Sequence, residues 1–342
     1  MSIISNITNT DDSISFDLNN ETSEIRISLA NSIRRTIISD ISTYTIDDES
    51  IIFYENNSML NNEFLKDRLI LVPIISYLEN INYDNLVISC KKENNDENME
   101  NIYVSDFIVK DIETNDILDN NMIFKYPNIL FGKIKTNQQV SFEAKLKKNS
   151  YQHWKSASCP VSQCNYVFKI DNNKVNEIME NMSESEKKNF LTQEVQRIYE
   201  KNKIGEPNVY QFQIESNGFY EPRNIVILGI RALVERLNNV KIEFFNTKSK
   251  KISVFHNDEN PDFFNFLIDK ENDTLGNILS TYLTYQPNVF YCGYVIEHPL
   301  NHNIILKIKL NENNNLENIL KIIGEQIDFL INILEKMVNE FV

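Results

Sequence analysis

Cys159 and Cys164 form the closest pair among the four cysteines, with Cys90 and Cys292 far from them in the chain. A structural zinc site takes four deprotonated ligands, usually including a pair roughly two to four residues apart. Cys159-x4-Cys164 supplies two ligands at most, so no metal is expected. His298 and His302 have the spacing that sets two imidazoles on one helix face, but Pro299 interrupts any helix there. Asp11-Asp12 and Asp47-Asp48 are adjacent rather than alternating, unlike the aspartate cluster that holds two metal ions for nucleotidyl transfer; they read as turn and helix-start residues. The chain contains no G-x-x-x-x-G-K, G-x-G-x-x-G or G-x-S-x-G. Catalytic residues, cofactors and metals are all expected to be none. The pair that stands out is Arg34-Arg35. In a chain of formal net charge -15, two adjacent guanidiniums offer planar forks of donors suited to carboxylates or carbonyls of a partner.

The elements that position these residues must come from an ordinary globular chain. It has 342 residues, 42% hydrophobic, with only 7 Gly and 8 Pro, which excludes disordered and fibrous classes and suggests two or three domains. The negative charge disfavours stand-alone binding to phosphate backbones. Four scattered cysteines fit a reducing compartment rather than a disulfide framework. The opening, MSIISNITNTDDSISF, has no basic start followed by an apolar run, and no stretch has the length of uninterrupted apolar residues needed to span a membrane. The abundance of Asn and Ile, whose codons are AT-rich, reads as genomic base bias.

Alternation predicts a strand over Ser13 to Leu18 and, after the polar turn Asn19 to Thr22, a helix whose face carries Leu29, Ile33, Ile37 and Ile41. Arg34 and Arg35 flank that face. A short helix in LNNEFLKDRLILVPI should stop before Pro73. Short β-like runs between polar turns follow from about Ser76 to Phe168, then a helical hairpin over Val175 to Tyr199. A strand at Val209 to Glu215 precedes a helix opened by Pro222 and carried by Ile225, Leu228, Leu233 and Leu237 to Asn238. The same grammar then returns: a strand at Phe264 to Ile268, a helix at Thr274 to Tyr285, and a strand at Val289 to Ile296. The last helix carries Leu316, Leu320, Ile323, Ile327, Leu330, Leu334, Met337 and Phe341, a heptad-like seam.

Two distant segments echo each other. Ser28-Leu29-Ala30-Asn31-Ser32-Ile33 and Thr274-Leu275-Gly276-Asn277-Ile278-Leu279 both read hydroxyl, Leu, small, Asn, any, aliphatic, and both open a helix that follows a strand. Small Ala30 and Gly276 would admit the close approach of another backbone. Each echo is followed, after strands, by a second long amphipathic helix, so two related modules are expected to bury their stripes against each other as a pseudo-two-fold pair.

On these residues the chain resembles a known family. LANSIRRTIISDISTYTIDDESIIFYENNSMLNNEFLKDRLILVP is similar to the first helix and following loop of the alpha-like assembly subunits of multisubunit DNA-dependent RNA polymerases. NDTLGNILSTYLTYQPNVFYCGYVIEHPL resembles their smaller partner, the archaeal L subunit and its eukaryotic equivalent. The fusion of the two resembles polymerases of large DNA viruses. The resemblance implies an α+β fold of two dimerisation modules, each with two helices on an antiparallel sheet, forming an intramolecular pseudo-dimer. The first module would be 1–75 with 207–247, an inserted β-rich domain with a helical hairpin 76–206, a linker 248–260, and the second module 261–342. Packing positions would be Leu29, Ala30, Asn31, Ile33, Ile37, Leu275, Gly276, Asn277, Leu279, Leu320, Ile327 and Leu334. Arg34, Arg35, Glu63 and Arg68 match positions expected to contact a partner subunit, although Asn62 stands where an Asp is usual and Asp67 where a His is usual. The Tyr151 to Lys155 run resembles a strand end of the inserted domain. Asp273, Gly293, His298 and Pro299 match positions that shape the dimer and its loop.

The implied function is a non-catalytic scaffold on which the beta-like and beta-prime-like subunits assemble. No homodimer, no direct nucleic-acid contact and no membrane association are expected, and the location would be virion and host cytoplasm, or the nucleus. The competing expectation is a free-standing α+β enzyme or ligand-binding protein whose Asn-rich loops shape a pocket.

Overall fold

The computed structural model describes residues 2–78, 80–150, 155–180, 182–257 and 260–342. Tyr151 to Trp154 of the expected inserted-domain strand end, and Asp258 and Glu259 of the expected linker, lie outside them.

The chain opens with a hairpin of β1 (Ile4–Asn9) and β2 (Ser13–Asn19), followed by α1 (Ile27–Ser39). The next segment carries β3 (Ser42–Ile46), β4 (Ile52–Asn56), α2 (Asn62–Ile70), β5 (Leu86–Asn94), β6 (Glu100–Tyr103), β7 (Ile108–Asp111), β8 (Ile117–Leu118), the single turn α3 (Asn120–Ile123), β9 (Leu130–Ile134) and β10 (Gln138–Ser150). Then come β11 (Val161–Phe168), the short helices α4 (Asn172–Met179) and α5 (Glu184–Gln193), β12 (Val209–Ser216) and α6 (Pro222–Phe245). The last part is β13 (Ile252–Asn257), β14 (Asn260–Asp269), α7 (Asp273–Thr284), β15 (Val289–Val295), β16 (Asn303–Leu310) and α8 (Leu316–Phe341).

Two antiparallel sheets have the same topology, β1-β2-β12-β11 and β13-β14-β16-β15. In each, a hairpin leads into a helix, a second hairpin returns through the central strand, and a long helix closes the unit. A single apolar core runs through both units and joins Leu29 and Ile37 to Leu275, Ile327 and Leu334. The inserted segment has its own core and its own sheet, β3-β10-β5-β7-β8, with β4 on the far half of β10.

Strand pairing draws the module boundaries differently from the sequence expectation. β3 pairs with β10, so the inserted unit begins near Ser42 rather than Ser76. β11 pairs with β12 and therefore belongs to the first module, which leaves α4 and α5 as an excursion between those strands. The segment expected to be a linker contains β13, because Ile252 and Val254 pair with Ile268 and Phe266 and extend the second sheet. The connection between modules is thus only residues 246–251.

Two helices also differ from expectation. α6 continues past Asn238 because Val240 and Phe244 extend its buried stripe by two turns. In α8 the seam widens: Ile319, Ile331, Ile333 and Val338 are buried beside it, since this helix packs on a sheet as well as on helices. Among the described residues no helix is long and apolar enough to cross a membrane.

Candidate assembly interface

The site is the joint between the two modules, built on two antiparallel helix pairs. In the first, α1 lies against α7. Leu29, Ala30, Ile33 and Ile37 on one side and Leu275, Gly276 and Leu279 on the other are buried. Burying a Leu or Ile side chain contributes about 1.5–3 kcal/mol, so these stripes supply most of the driving force. Polar contacts then fix the register: the Ser32 hydroxyl donates to the Thr274 carbonyl (3.4 Å) and Arg35 Nε to Thr274 Oγ1 (2.6 Å).

At the α7 end of this pair sits Arg236 of α6. Its Nε donates to Glu271 Oε2 (2.8 Å), Nη2 to Asn272 Oδ1 (2.8 Å), and Nη1 pairs with Asp40 at the end of α1 (3.2 Å). Lys251 completes the group at 3.0 Å from Glu271. Glu271 is buried and Asn272 caps α7, so one guanidinium ties both first-module helices to the start of the second module's helix. Removing Arg236 would leave the buried Glu271 carboxylate short of a partner, and such a loss costs more than forming the pair contributes. At the opposite end the Arg26 amide donates to the Tyr282 hydroxyl (3.0 Å), which donates to the Glu24 carbonyl (2.8 Å). The Arg26 guanidinium lies 3.6 Å from the Tyr285 ring centroid and pairs with Glu206 at 2.9 Å. Burial pushes the Tyr282 phenol well above its usual range, so it stays neutral and can both accept from and donate to the first module's backbone.

The second pair is α6 against α8. Ile327 and Leu334 are fully buried, Leu320 is half-buried, and Lys241 bridges to Asp328 (2.6 Å). Phe245 lies over Gly324, where an added Cβ would come within 2.8 Å of the ring. α6 also crosses α1 at Gly229, where a Cβ would lie 2.3 Å from Ile37 Cγ1 and 3.1 Å from its Cα. That is the close backbone approach expected at Gly276. At Gly276 the near neighbour is instead the Tyr294 ring of its own module, at 2.4 Å from an added Cβ. The Tyr294 hydroxyl in turn donates to Asp273 (3.1 Å).

Asn31 and Asn277 are half-buried and their side chains are used within their own helices: Asn31 Oδ1 accepts from Arg34 Nε (3.1 Å) and Nη2 (3.0 Å), and Asn277 Oδ1 from Thr281 (3.3 Å). The four expected partner-contact residues do not form one cluster. Glu63 and Arg68 are exposed on α2, which packs on the inserted core, and Arg68 Nη2 donates to the Leu130 carbonyl (2.5 Å). Arg34 and Arg35 sit half-buried on α1 against the shared core. Arg35 differs from Arg34 in that its Nε donates to Thr274 of the second module, so it contributes to the joint itself. Sequence reasoning missed Gly229 and Arg236. The lone glycine inside the apolar pattern of α6 was the available signal for the first; nothing local marks Arg236, whose three partners come from distant segments.

Burial raises the Cys90, Cys164 and Cys292 thiols to about 12 and lifts Cys159 less far. All four are free cysteines and behave as small apolar residues. Among the described residues no group of three or more His, Cys, Asp or Glu is placed to hold a metal ion. His298 Nδ1 accepts the Leu300 amide at 3.1 Å, as a turn residue does. Gly293 lies under the Tyr291 side chain, whose hydroxyl is 2.6 Å from an added Cβ; it admits the ring onto the outer face of the sheet.

Repeated topology and a common core define a pair of dimerisation domains covalently joined. The RNA polymerase Rpb3/Rpb11 dimerisation domain matches twice, over residues 21–237 and 264–340, and the chain belongs to that family. Among similar proteins, the DNA-directed RNA polymerase subunit Rpo3 of Pyrococcus furiosus is 25% identical over 252 residues, 66% of this chain and 90% of its own length. DNA-directed RNA polymerase II subunit rpb3 of Dictyostelium discoideum is 22% identical over 281 residues, covering 67% and 90%. Subunit rpb11 of the same organism is 33% identical over 67 residues, covering 20% of this chain and 56% of its own length. The chain thus spans nearly the whole of the Rpb3-type relatives and about half of the Rpb11-type one. It is a non-catalytic, Rpb3/Rpb11-like assembly subunit of a DNA-directed RNA polymerase, whose partners lie within that complex.

Proposed function

We propose that this chain is the platform on which the beta-like and then the beta-prime-like subunits of the polymerase assemble, with its two dimerisation domains pre-paired inside one chain. The observation that carries the reading is the single core that joins α1 and α6 to α7 and α8. The six residues from 246 to 251 hold the modules together at high effective concentration, so the pair closes without waiting for a second chain. Arg34, Glu63 and Arg68 are the proposed contacts to the large subunits, since they reach the surface of both the joint and the inserted unit. Fusion of the two domains in one chain supports a polymerase of a large DNA virus, acting in the host cytoplasm and carried in the virion.

The test is isolation of a tagged chain from its native source. The expected result is stoichiometric recovery of two polypeptides identified by mass spectrometry as the large polymerase subunits, with transcription activity in the eluate. Elution of the chain alone would overturn the reading.

A further inference from the structure

The two long helices carry the same dipeptide in their last turn, Glu243-Phe244 in α6, one residue before its end, and Glu340-Phe341 at the end of α8. Each phenylalanine reaches the other module's central hairpin. Phe341 stands edge-on to Phe16 of β2, with centroids 5.0 Å apart and planes at 80°, and Phe244 edge-on to Phe266 of β14 at 5.6 Å and 67°. Each glutamate faces the start of the neighbouring edge strand. Glu340 accepts from the amides of Ile3 (3.0 Å) and Ile4 (2.6 Å) and from the Ser2 hydroxyl (2.8 Å). Glu243 accepts from the Ser249 hydroxyl, whose oxygen accepts from the amides of Lys251 (3.0 Å) and Ile252 (3.1 Å). The strands so held both begin Ile-Ser, at Ile4-Ser5 and Ile252-Ser253. Arg223 Nε, at the start of α6, donates to the Phe341 carbonyl (2.6 Å) and secures the end of α8.

Apolar stripes are non-directional, so two long helices pressed together could slide by a turn, about 5.4 Å, and still bury much of the same area. A carboxylate fixed on particular amides tolerates no such shift. We propose that the Glu-Phe dipeptide is a reciprocal hook that determines which sheet each long helix docks on and in which register. The proposal rests on the pairing of the two modules described above and deepens it. The hooks are unequal: Glu340 grips amides of the first module directly, whereas Glu243 acts through Ser249 within the connecting segment.

Hydrogen exchange read by mass spectrometry on the full chain tests this, with Glu340→Gln and Glu243→Gln as near-isosteric variants and Phe341→Ala as a stronger one. Glu340→Gln, although in the second module, is expected to speed exchange of β1 and the start of β2 at least tenfold while leaving β13 and β14 unchanged. Glu243→Gln should do the reverse. Exchange that rises only in the substituted helix's own last turn, rises equally in both sheets, or does not rise at all would overturn the hook. If Phe341→Ala unfolds the chain, the two Gln variants still decide the matter. Because the readout uses the isolated chain, its failure is separable from failure to recover polymerase subunits.

Discussion

The two dimerisation modules share their inner faces and differ on their outer ones. Inside, Phe16 and Phe266 occupy matching strands, and Leu29 and Leu275 matching turns of matching helices. Outside, the first sheet shows Ser15, Asp17, Gln211 and Gln213, with Asp17 tied to Gln211 (3.2 Å) and Asn6 (2.8 Å). The second sheet shows the exposed Phe255, Tyr291 and Val295, and Lys309, paired opposite Tyr291, lies 5.6 Å from both the Phe263 and Phe290 rings. Between α1 and β11 the first module holds an entire inserted unit, whereas α7 and β15 are joined by a four-residue turn, 285–288. Residues that bury each other are alike in the two modules; those that face elsewhere differ.

The likeness of the inner faces can be broken most severely by truncation. Leu29→Ala and Leu275→Ala should each cost about 2–5 kcal/mol in denaturant unfolding, and each should lower the midpoint of one common transition. Two separate transitions would show that the modules are independent. The small residues sharpen the comparison next. Gly229→Ala should cost about 1–3 kcal/mol by overpacking, because the new Cβ meets Ile37 at Cγ1 and also at its backbone Cα, which cannot turn away. Gly276→Ala should cost less, because the half-buried Tyr294 ring can swing aside; equal losses in thermal denaturation would contradict that distinction.

Smaller effects come from charge. Partial burial works against the charged form of Glu340, but the amides of Ile3 and Ile4 and the Ser2 hydroxyl outweigh it and hold the carboxyl below the usual glutamate range. Its contribution is therefore fully present above the unfolded value, about 4.3, and is lost as pH falls through the lower folded value. The stability gap between the parent and Glu340→Gln should accordingly close in acid; a gap constant from neutral pH down through that range would count against the assignment. Arg35→Ala should cost about 1 kcal/mol for the lost bond to Thr274, and Arg34→Ala no more than about 0.5 kcal/mol, with equilibrium unfolding as the check. For Arg34→Ala the expected loss is in recovery of the large subunits, not in folding.

The architecture was legible because both modules repeat one apolar pattern. Leu29, Ile33 and Ile37, and the long seam of α8, could be placed from periodicity alone, and the Ala30/Gly276 echo pointed to the right pair of helices. What could not be read was decided by residues distant in sequence. Ser42 to Ile46 looks like any short strand until β10 offers it an edge, and Ile252 to Asn257 reads as a polar connection until β14 pairs with it. Arg35 flanks the buried stripe of α1, but only the arrival of Thr274 from the second module gives its Nε a partner. Gly276 carried the signal of a close approach correctly and its partner wrongly, since sequence shows that space is needed and not what fills it.

The central claim is that the two modules of one chain pair with each other, and sedimentation of the isolated protein over a wide concentration range tests it most directly. A single species at the chain mass of 40.1 kDa, with the amides of both central strand pairs protected from exchange, is the predicted result. A concentration-dependent species of twice that mass, lost together with the protection on dilution, would mean that the modules pair between chains and would contradict it.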